Sequence, residues 1–345
     1  MLAPRTHGQI LQADFRPYPL LSNAHLQTVI PAKLRPTPAL QWRMERWELP
    51  DGDFVDLGWA GSDQPDAPSA ILIHGLTGGL DSKYLRGTAL ALIDHGWRVV
   101  ALQLRGGGEQ PNRLPRSYHH ADTADLRRLW HRLRAQEPEA FVGAIGWSLG
   151  GNVLLKALGE EGDQAPLDAA CAVSVPFRLR DCAVFLRQGV ARAYQHHLLE
   201  RLKQMLRLKL QKLELPPPAD AEKALAARDF FEYDDAFTAP LNGYADVEDY
   251  YARAACGQFL KHIRTPTTIF QALDDPFMPP DIIPTADQLA ADVQIRTTAR
   301  GGHVGFMARG AGLKPAWWLQ HALVDTLQSA RLSTVPRIHA KETAA

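Results

Sequence analysis

Residues 141–160 read FVGAIGWSLGGNVLLKALGE. An apolar run, a glycine-rich turn around a serine and a second apolar stretch of helical length follow one another without a break. The centre, Gly146-Trp147-Ser148-Leu149-Gly150, is a G-x-S-x-G pattern. Between a buried strand and a helix this pattern is a nucleophile elbow, a turn so sharp that its neighbours must be small. That requirement accounts for Gly146, Gly150 and Gly151. The turn lifts the serine hydroxyl above the sheet and points the next helix N-terminus at it. A glycine-rich turn carrying an idle serine would leave the tightness unexplained.

Working outward, similar apolar runs recur at 69–73 (SAILI), 97–102 (WRVVAL), 169–175 (AACAVSV) and 266–272 (PTTIFQA). Continuous runs of this kind suit strands covered on both faces, as in a parallel sheet between helices. The segments 83–95, 118–136 and 150–160 have helical length and period, and 42–49 with 53–59 read as an early hairpin around Pro50, Asp51 and Gly52. The alternation predicts an α/β fold, with a mostly parallel central sheet flanked by helices. From 177 to 265 the pattern changes. A helix is expected over 192–214, with Leu198, Leu202, Met205, Leu206 and Leu213 on one face and Pro216, Pro217 and Pro218 ending it. An acidic, aromatic stretch follows at 229–237. The expectation is a core of residues 1–177 and 265–345, with a helical cap inserted over 178–264.

A serine nucleophile needs a base, and the base needs an orienting acid. Downstream of an elbow the chain order is acid, then histidine. Ala272-Leu273-Asp274-Asp275-Pro276 follows the run 266–272, which puts two aspartates at a strand end. Asp275 is the first choice for the acid and Asp274 its adjacent rival; either could instead cap the next helix. Of 13 histidines, His303 in Arg300-Gly301-Gly302-His303-Val304-Gly305 occupies the slot that the order demands, just after the strand-like run 291–298. The oxyanion hole requires two backbone N–H groups. One is expected from Leu149. The other is expected from His74-Gly75-Leu76-Thr77-Gly78-Gly79, with Leu76 preferred and Thr77 second. That loop lacks the glycine spacing of nucleotide-binding turns.

Composition removes several other classes. Lys and Arg number 38, Asp and Glu also 38, so there is no overall basic field for nucleic acid. Cys171, Cys182 and Cys256 are too few and scattered for a disulfide framework or a zinc site, and no cofactor or metal is expected. His119-His120 and His196-His197 are sequence neighbours, which on a helix makes a poor chelate. No run of about 18 apolar residues would span a bilayer, and the N-terminus lacks a signal-peptide core. A cytoplasmic location and a small ester or lipid substrate are expected. Arg105-Gly106-Gly107-Gly108-Glu109 reads as a mobile loop beside the site. The basic face of the 192–214 helix (Arg192, Arg201, Lys203, Arg207, Lys209 and Lys212) reads as solvated, with peripheral contact to an anionic membrane as the alternative.

With these pieces in place the chain resembles the α/β-hydrolases, and more narrowly their YheT-like branch, which includes eukaryotic membrane-anchored lipid hydrolases. The resemblance begins at Ser22-Asn23-Ala24-His25-Leu26-Gln27-Thr28 and continues through HGLTGG (74–79), GWRVVALQLRGGG (96–108), GWSLGGN (146–152), FTAPLNGY (237–244), ALDDPFMPP (272–280) and GGHVGF (301–306). Ala121 stands where the branch usually has glycine, and Arg-Gly-Gly-Gly replaces a commoner Arg-Gly-Cys-Ser. The resemblance implies carboxylic-ester hydrolysis, with Ser148, Asp275 and His303 at the charge-relay positions. Amide or thioester cleavage by the same residues, and a non-catalytic protein binding a lipid or partner through its cap, are the competing expectations.

Overall fold

Each uninterrupted apolar run becomes a strand buried along its length. The computed structural model describes residues 6–216, 218–312 and 314–334, so the expectations for Pro217 and for the first five residues lie outside it. The first half of the chain runs β1 (Gln9–Gln12), α1 (Ala24–Lys33), β2 (Arg43–Glu48), β3 (Phe54–Gly61), β4 (Ser69–Ile73), α2 (Lys83–Ile93) and β5 (Arg98–Leu102). It continues with α3 (Ala124–Gln136), β6 (Val142–Trp147), α4 (Leu149–Glu161) and β7 (Ala169–Val173). Then come only helical pieces: α5 (Leu179–Leu186), α6 (Ala191–Leu210), α7 (Ala221–Ala226), α8 (Phe230–Tyr233), a π-helical turn at Asp234–Thr238, α9 (Ala239–Leu241), α10 (Val247–Ala254) and a 3₁₀ stretch at Cys256–His262. The sheet resumes with β8 (Thr267–Ala272) and β9 (Val293–Thr298), and a small hairpin of β10 (Met307–Arg309) and β11 (Pro315–Trp317) leads into α11 (Trp318–Thr334).

Nine strands form one sheet in the order β1-β9-β8-β7-β6-β4-β5-β3-β2. All neighbours are parallel except the pairs made by β3, which runs antiparallel to β5 and β2. Alternation along each strand divides the core. Ile71, Ile73, Val100, Ala144 and Ile269 face one way, under α3 and α4. Leu72, Val99, Ala101, Ile145 and Cys171 face the other, under α2 and α11. The sequence order reverses where β4 meets β6, and in open α/β sheets ligands bind at such a switch point, beyond the carboxyl ends of the strands.

Four sequence expectations are corrected. The helix expected from 118 begins at Ala124, because Tyr118, His119 and His120 are drawn into the interior instead: the His120 N–H donates to the Tyr250 hydroxyl at 3.1 Å, and the His119 ring packs edge-on against Tyr244 and Tyr250. His119-His120 therefore lies in a loop, not on a helix. The helix expected over 192–214 stops at Leu210, ahead of the prolines and of Leu213. Its basic face is not uniformly solvated, since Lys203 and Lys209 are buried. The Lys209 ammonium donates to Asn112 Oδ1 and, at 2.7 Å, to the Arg116 carbonyl. The loop at Arg105 is anchored rather than free: its buried guanidinium holds Asp125 through two nitrogens (2.9 and 2.7 Å) and also reaches Asp51 and Asp53. Among the described residues no helix is long and apolar enough to cross a membrane.

Candidate active site

The elbow is visible in its backbone. Ser148 has φ +52° and ψ −116°, a conformation that costs a non-glycine residue energy and persists only where its surroundings enforce it. Here β6 ends one residue earlier, α4 starts one residue later, and the Ser148 N–H donates to the Val173 carbonyl of β7 at 2.8 Å. A Cβ on Gly146 would stand 2.4 Å from the Gly150 oxygen, and one on Gly150 would stand 2.3 Å from the Ile73 oxygen. Strand and helix close on each other because neither glycine has a side chain.

The loop after β9 brings His303 to this turn. Its Nε2 lies 3.1 Å from Ser148 Oγ, and its Nδ1 lies 2.8 Å from Asp275 Oδ2. A carboxylate only accepts, so Nδ1 carries the proton toward Asp275 and Nε2 is left to accept from the serine. The ring lies flat on Phe277, centroids 4.0 Å apart, which fixes its plane. Asp275 is itself oriented, its Oδ1 accepting the Phe277 N–H at 2.9 Å. Asp274 points elsewhere: it takes the Gly302 N–H at 3.0 Å, tying down the loop just before His303. Burial raises the Asp274 carboxyl above the usual aspartate range.

The segment Ser22–Thr28 shows its physical purpose here. Asn23 caps α1 through the amides of His25 and Leu26. Thr28 Oγ1 then accepts the His303 N–H at 2.9 Å, while the buried Gln27 carboxamide accepts the Met307 N–H at 2.8 Å and donates to the Leu21 and Met307 carbonyls. Gly305 sits against α1 so closely that a Cβ would lie 1.7 Å from the Gln27 oxygen. Sequence reasoning placed this segment by resemblance alone and assigned it no role.

On the opposite side of Ser148 lies the loop after β4. A Cβ on Gly75 would come within 3.3 Å of Ser148 Cβ. Buried His74 holds the loop from below. Its Nδ1 donates to the Gly75 carbonyl, its Nε2 accepts the Leu104 N–H, and burial pushes its pKa down to about 4, so the ring is neutral. Two tyrosines hold it from the sides: Tyr84 accepts the Gly75 N–H at 2.9 Å and Tyr118 accepts the Thr77 N–H at 2.8 Å. Between those two amides the Leu76 N–H has no partner among the described residues, and neither does that of Leu149 at the first position of α4. Thr77, the second choice for an oxyanion donor, thus has its amide occupied. Neither tyrosine was singled out from sequence.

Ser148, His303, Leu76 and Leu149 line a cavity of about 970 Å³ between the sheet and the helices that follow β7. Its upper wall is largely apolar, although His197, Arg201 and Lys209 of α6 also line it. Leu198, Leu202, Met205 and Leu206 of α6 line it, together with Leu179, Leu186, Phe230 and Phe237. Leu198 and Leu202 also pack with Leu199 and Phe230 in the cluster under these helices, against which Leu76 and Phe277 rest.

The pattern of the alpha/beta hydrolase fold family matches residues 68–309. Over 319 residues the chain is 39% identical to the YheT protein of Escherichia coli (strain K12), spanning 91% of this chain and 93% of that one. It is 30% identical over 290 residues to phospholipase ABHD3 of Mus musculus, spanning 81% of this chain and 70% of the relative. Among solved structures, the esterase Pf2001 of Pyrococcus furiosus aligns with a TM-score of 0.55 over 86% of this chain and 91% of its own, at 14% identity, a likeness of fold alone.

Proposed function

The chain belongs to the α/β-hydrolase family, in its YheT-like branch, and is an ester hydrolase; from that premise we propose that it cleaves carboxylic esters through Ser148, His303 and Asp275. The observation that carries this reading is the unbroken hydrogen-bonded line from Ser148 Oγ through both His303 nitrogens to Asp275, at the foot of a cavity large enough for a lipid-sized acyl chain.

In this mechanism Ser148 Oγ attacks the ester carbonyl as its proton passes to His303 Nε2. The carbonyl π electrons move onto oxygen, where the Leu76 and Leu149 amides stabilise the charge. Collapse of the tetrahedral centre breaks the bond to the alcohol oxygen, which takes the proton from Nε2 and leaves an acyl-enzyme on Ser148. Water repeats the sequence and releases the carboxylic acid. Asp275 holds the tautomer and stabilises the imidazolium without itself taking the proton. Phe277 and Thr28 position the base. The helical segment 178–264 acts as a lid whose apolar wall selects the acyl chain.

A fluorophosphonate probe tests the reading directly. The wild type should be labelled on Ser148, and Ser148→Ala should not. Ser148→Ala and His303→Ala should each lower turnover roughly 10³- to 10⁶-fold, with no additivity in the double variant. Asp275→Asn should be severe and Asp274→Asn milder, because Asp274 reaches the base only through the Gly302 amide. An unlabelled wild type, or near-normal turnover by His303→Ala, would overturn the assignment.

A further inference from the structure

From Phe15 to Met44 the chain holds no aspartate or glutamate, yet it carries Arg16, His25, Lys33, Arg35 and Arg43. The same stretch exposes apolar side chains out of proportion to its length. Of the eleven large apolar residues exposed among the described ones, five fall inside it: Leu20, Leu26, Val29, Leu34 and Met44. Leu20 is 97% exposed and Leu34 74%. Single exposed leucines are ordinary, but several together beside cations mark a contact surface.

The patch has a definite place. Leu26, Val29 and Lys33 share the outer face of α1, whereas Thr28, Pro31 and Ala32 on its inner face line the cavity. Other elements complete the rim. The Lys83 ammonium donates to the Lys33 carbonyl at 2.9 Å, and His25 Nδ1 lies 2.9 Å from the Tyr194 hydroxyl of α6. Lys83, Arg35 and Arg201 line the cavity at this side. Lys33, Arg35, Lys83 and Arg201 make no ion pair among the described residues, whereas Asp81 and Glu200 on the neighbouring elements are already held by Arg86 and Lys203.

We propose that the outer face of α1, with Leu20 and Leu34 at its ends, docks on a lipid bilayer containing anionic lipids, on the side of the molecule where Pro31, Ala32 and Arg35 line the cavity. The chemistry selects this occupant. Aliphatic side chains gain by entering the acyl boundary, and flanking lysine and arginine reach the anionic headgroups with their charged ends. A second copy of the chain fits less well, because a two-fold contact would set Lys33 and Arg35 against their own counterparts. A nucleic acid would neutralise the cations but leave the leucines in water. The surface differs from the one the sequence pointed to: α6 turns Lys203 and Lys209 inward, whereas among the described residues Lys33, Lys83 and Arg201 make no ion pair and Arg35 is held only by Gln320 and the Trp317 ring.

Sedimentation of the full chain with vesicles tests the proposal. Phosphatidylcholine mixed with phosphatidylglycerol should carry the wild type down, phosphatidylcholine alone should carry at least about tenfold less, and added salt should release it. Lys33→Glu, which changes the charge by two, should weaken partitioning roughly thirtyfold. The triple variant Leu26→Ser, Val29→Ser, Leu34→Ser should weaken it at least about tenfold. Turnover of a water-soluble short-chain ester should stay unchanged in both. That control reports the integrity of α1, because Gln27 and Thr28 hold the His303 loop; if the triple variant fails it, Leu20→Ser and Lys33→Glu decide. Ser148→Ala should bind vesicles like the wild type, so docking and the catalytic reading fail or stand separately. A wild type that stays in the supernatant with anionic vesicles, or variants that bind as it does, would overturn the proposal. So would a wild-type dimer in analytical ultracentrifugation that the triple variant dissolves without any vesicle binding.

Discussion

Tyr84 and Tyr118 hold the loop after β4 by hydrogen bonds, as Asp275 holds His303. The two hydroxyls occupy the amides of Gly75 and Thr77, which leaves the Leu76 amide between them without a partner among the described residues. Burial raises the Tyr118 phenol to about 12, which keeps it protonated and its oxygen a neutral acceptor. Tyr118→Phe should therefore loosen the aim of the Leu76 amide with little effect on ground-state binding. The expected result is a fall in kcat of about tenfold with KM nearly unchanged, smaller than the hundredfold or greater loss of an oxyanion donor outright. A change confined to KM, or to thermal stability, would show that the tyrosine is only a packing element. From sequence the choice of Leu76 over Thr77 stayed open, because a glycine-rich loop does not show which of its amides a distant side chain will claim. Asp275 over Asp274 was legible as a preference and no more. The two differ by which carboxylate the turn swings toward the histidine, and that rests on contacts to Phe277 and Gly302.

At the level of elements, the strands were the easiest to read. A strand covered on both faces must be apolar throughout, and the runs 69–73, 97–102, 141–146, 169–175 and 266–272 contain β4, β5, β6, β7 and β8 within a residue or two. The helices after β7 were read less well because their partners are not local. On α6 the spacing of leucines marks one apolar stripe, but the structure buries Lys203 and Lys209 beside Leu199 and Leu206. Lys209 bridges α6 to the core loop at Asn112 and Arg116, and burial lowers its pKa to about 8. The wall that α6 offers the cavity makes the lid reading testable. Replacing Leu198, Leu202 and Met205 with glutamine, singly and together, should shorten the preferred acyl chain, since each polar amide in an apolar wall opposes burial of methylenes worth about 0.8 kcal/mol each. The measurement is a chain-length series of soluble esters. An unchanged profile across folded variants would leave specificity to the loops around Gly106 and Leu76.

Several titratable groups lie buried or half-buried across the molecule. Burial pushes His74 and His120 down to about 4 and His119 to about 3, while it raises Asp122 and Asp234 to about 6. The signs oppose each other. Around pH 5 the folded histidines are neutral and the unfolded ones protonated, so unfolding takes up three protons there; this stability is present above about pH 6.5 and is lost on acidification. The aspartates behave in reverse. They are protonated in the fold and ionised when unfolded, so unfolding releases two, and their contribution is lost as pH rises through about 6. Three minus two leaves a net uptake of about one proton, and these five groups together should lower stability on going from pH 7 to 5 by roughly 1.4 kcal/mol per pH unit. Denaturant titrations across that range check it. Asp234→Asn should steepen the slope toward two protons; a slope of the opposite sign would mean that the histidines are charged in the fold.

By itself the sequence determined the α/β class, the position of the sharp turn at Ser148, the chain order of Ser148, Asp275 and His303, which the fold joins by hydrogen bonds, and the presence of a helical excursion between β7 and β8. All of these follow from local constraints. Strand burial demands continuous apolar residues, a sharp turn demands glycine, and a connection between strands must be long enough to carry its helices. Only the tertiary structure decided which of two aspartates meets the histidine, which amide of the β4 loop stays free, where Lys209 is buried, and why Ser22–Thr28 lies under the His303 loop. Each of these depends on a partner from a distant part of the chain: Asp275 and His303 are 28 positions apart, Tyr118 and Thr77 41, Thr28 and His303 275. A hydrogen bond needs its two atoms within about 3 Å of each other in a defined direction, and only the packed fold supplies that geometry.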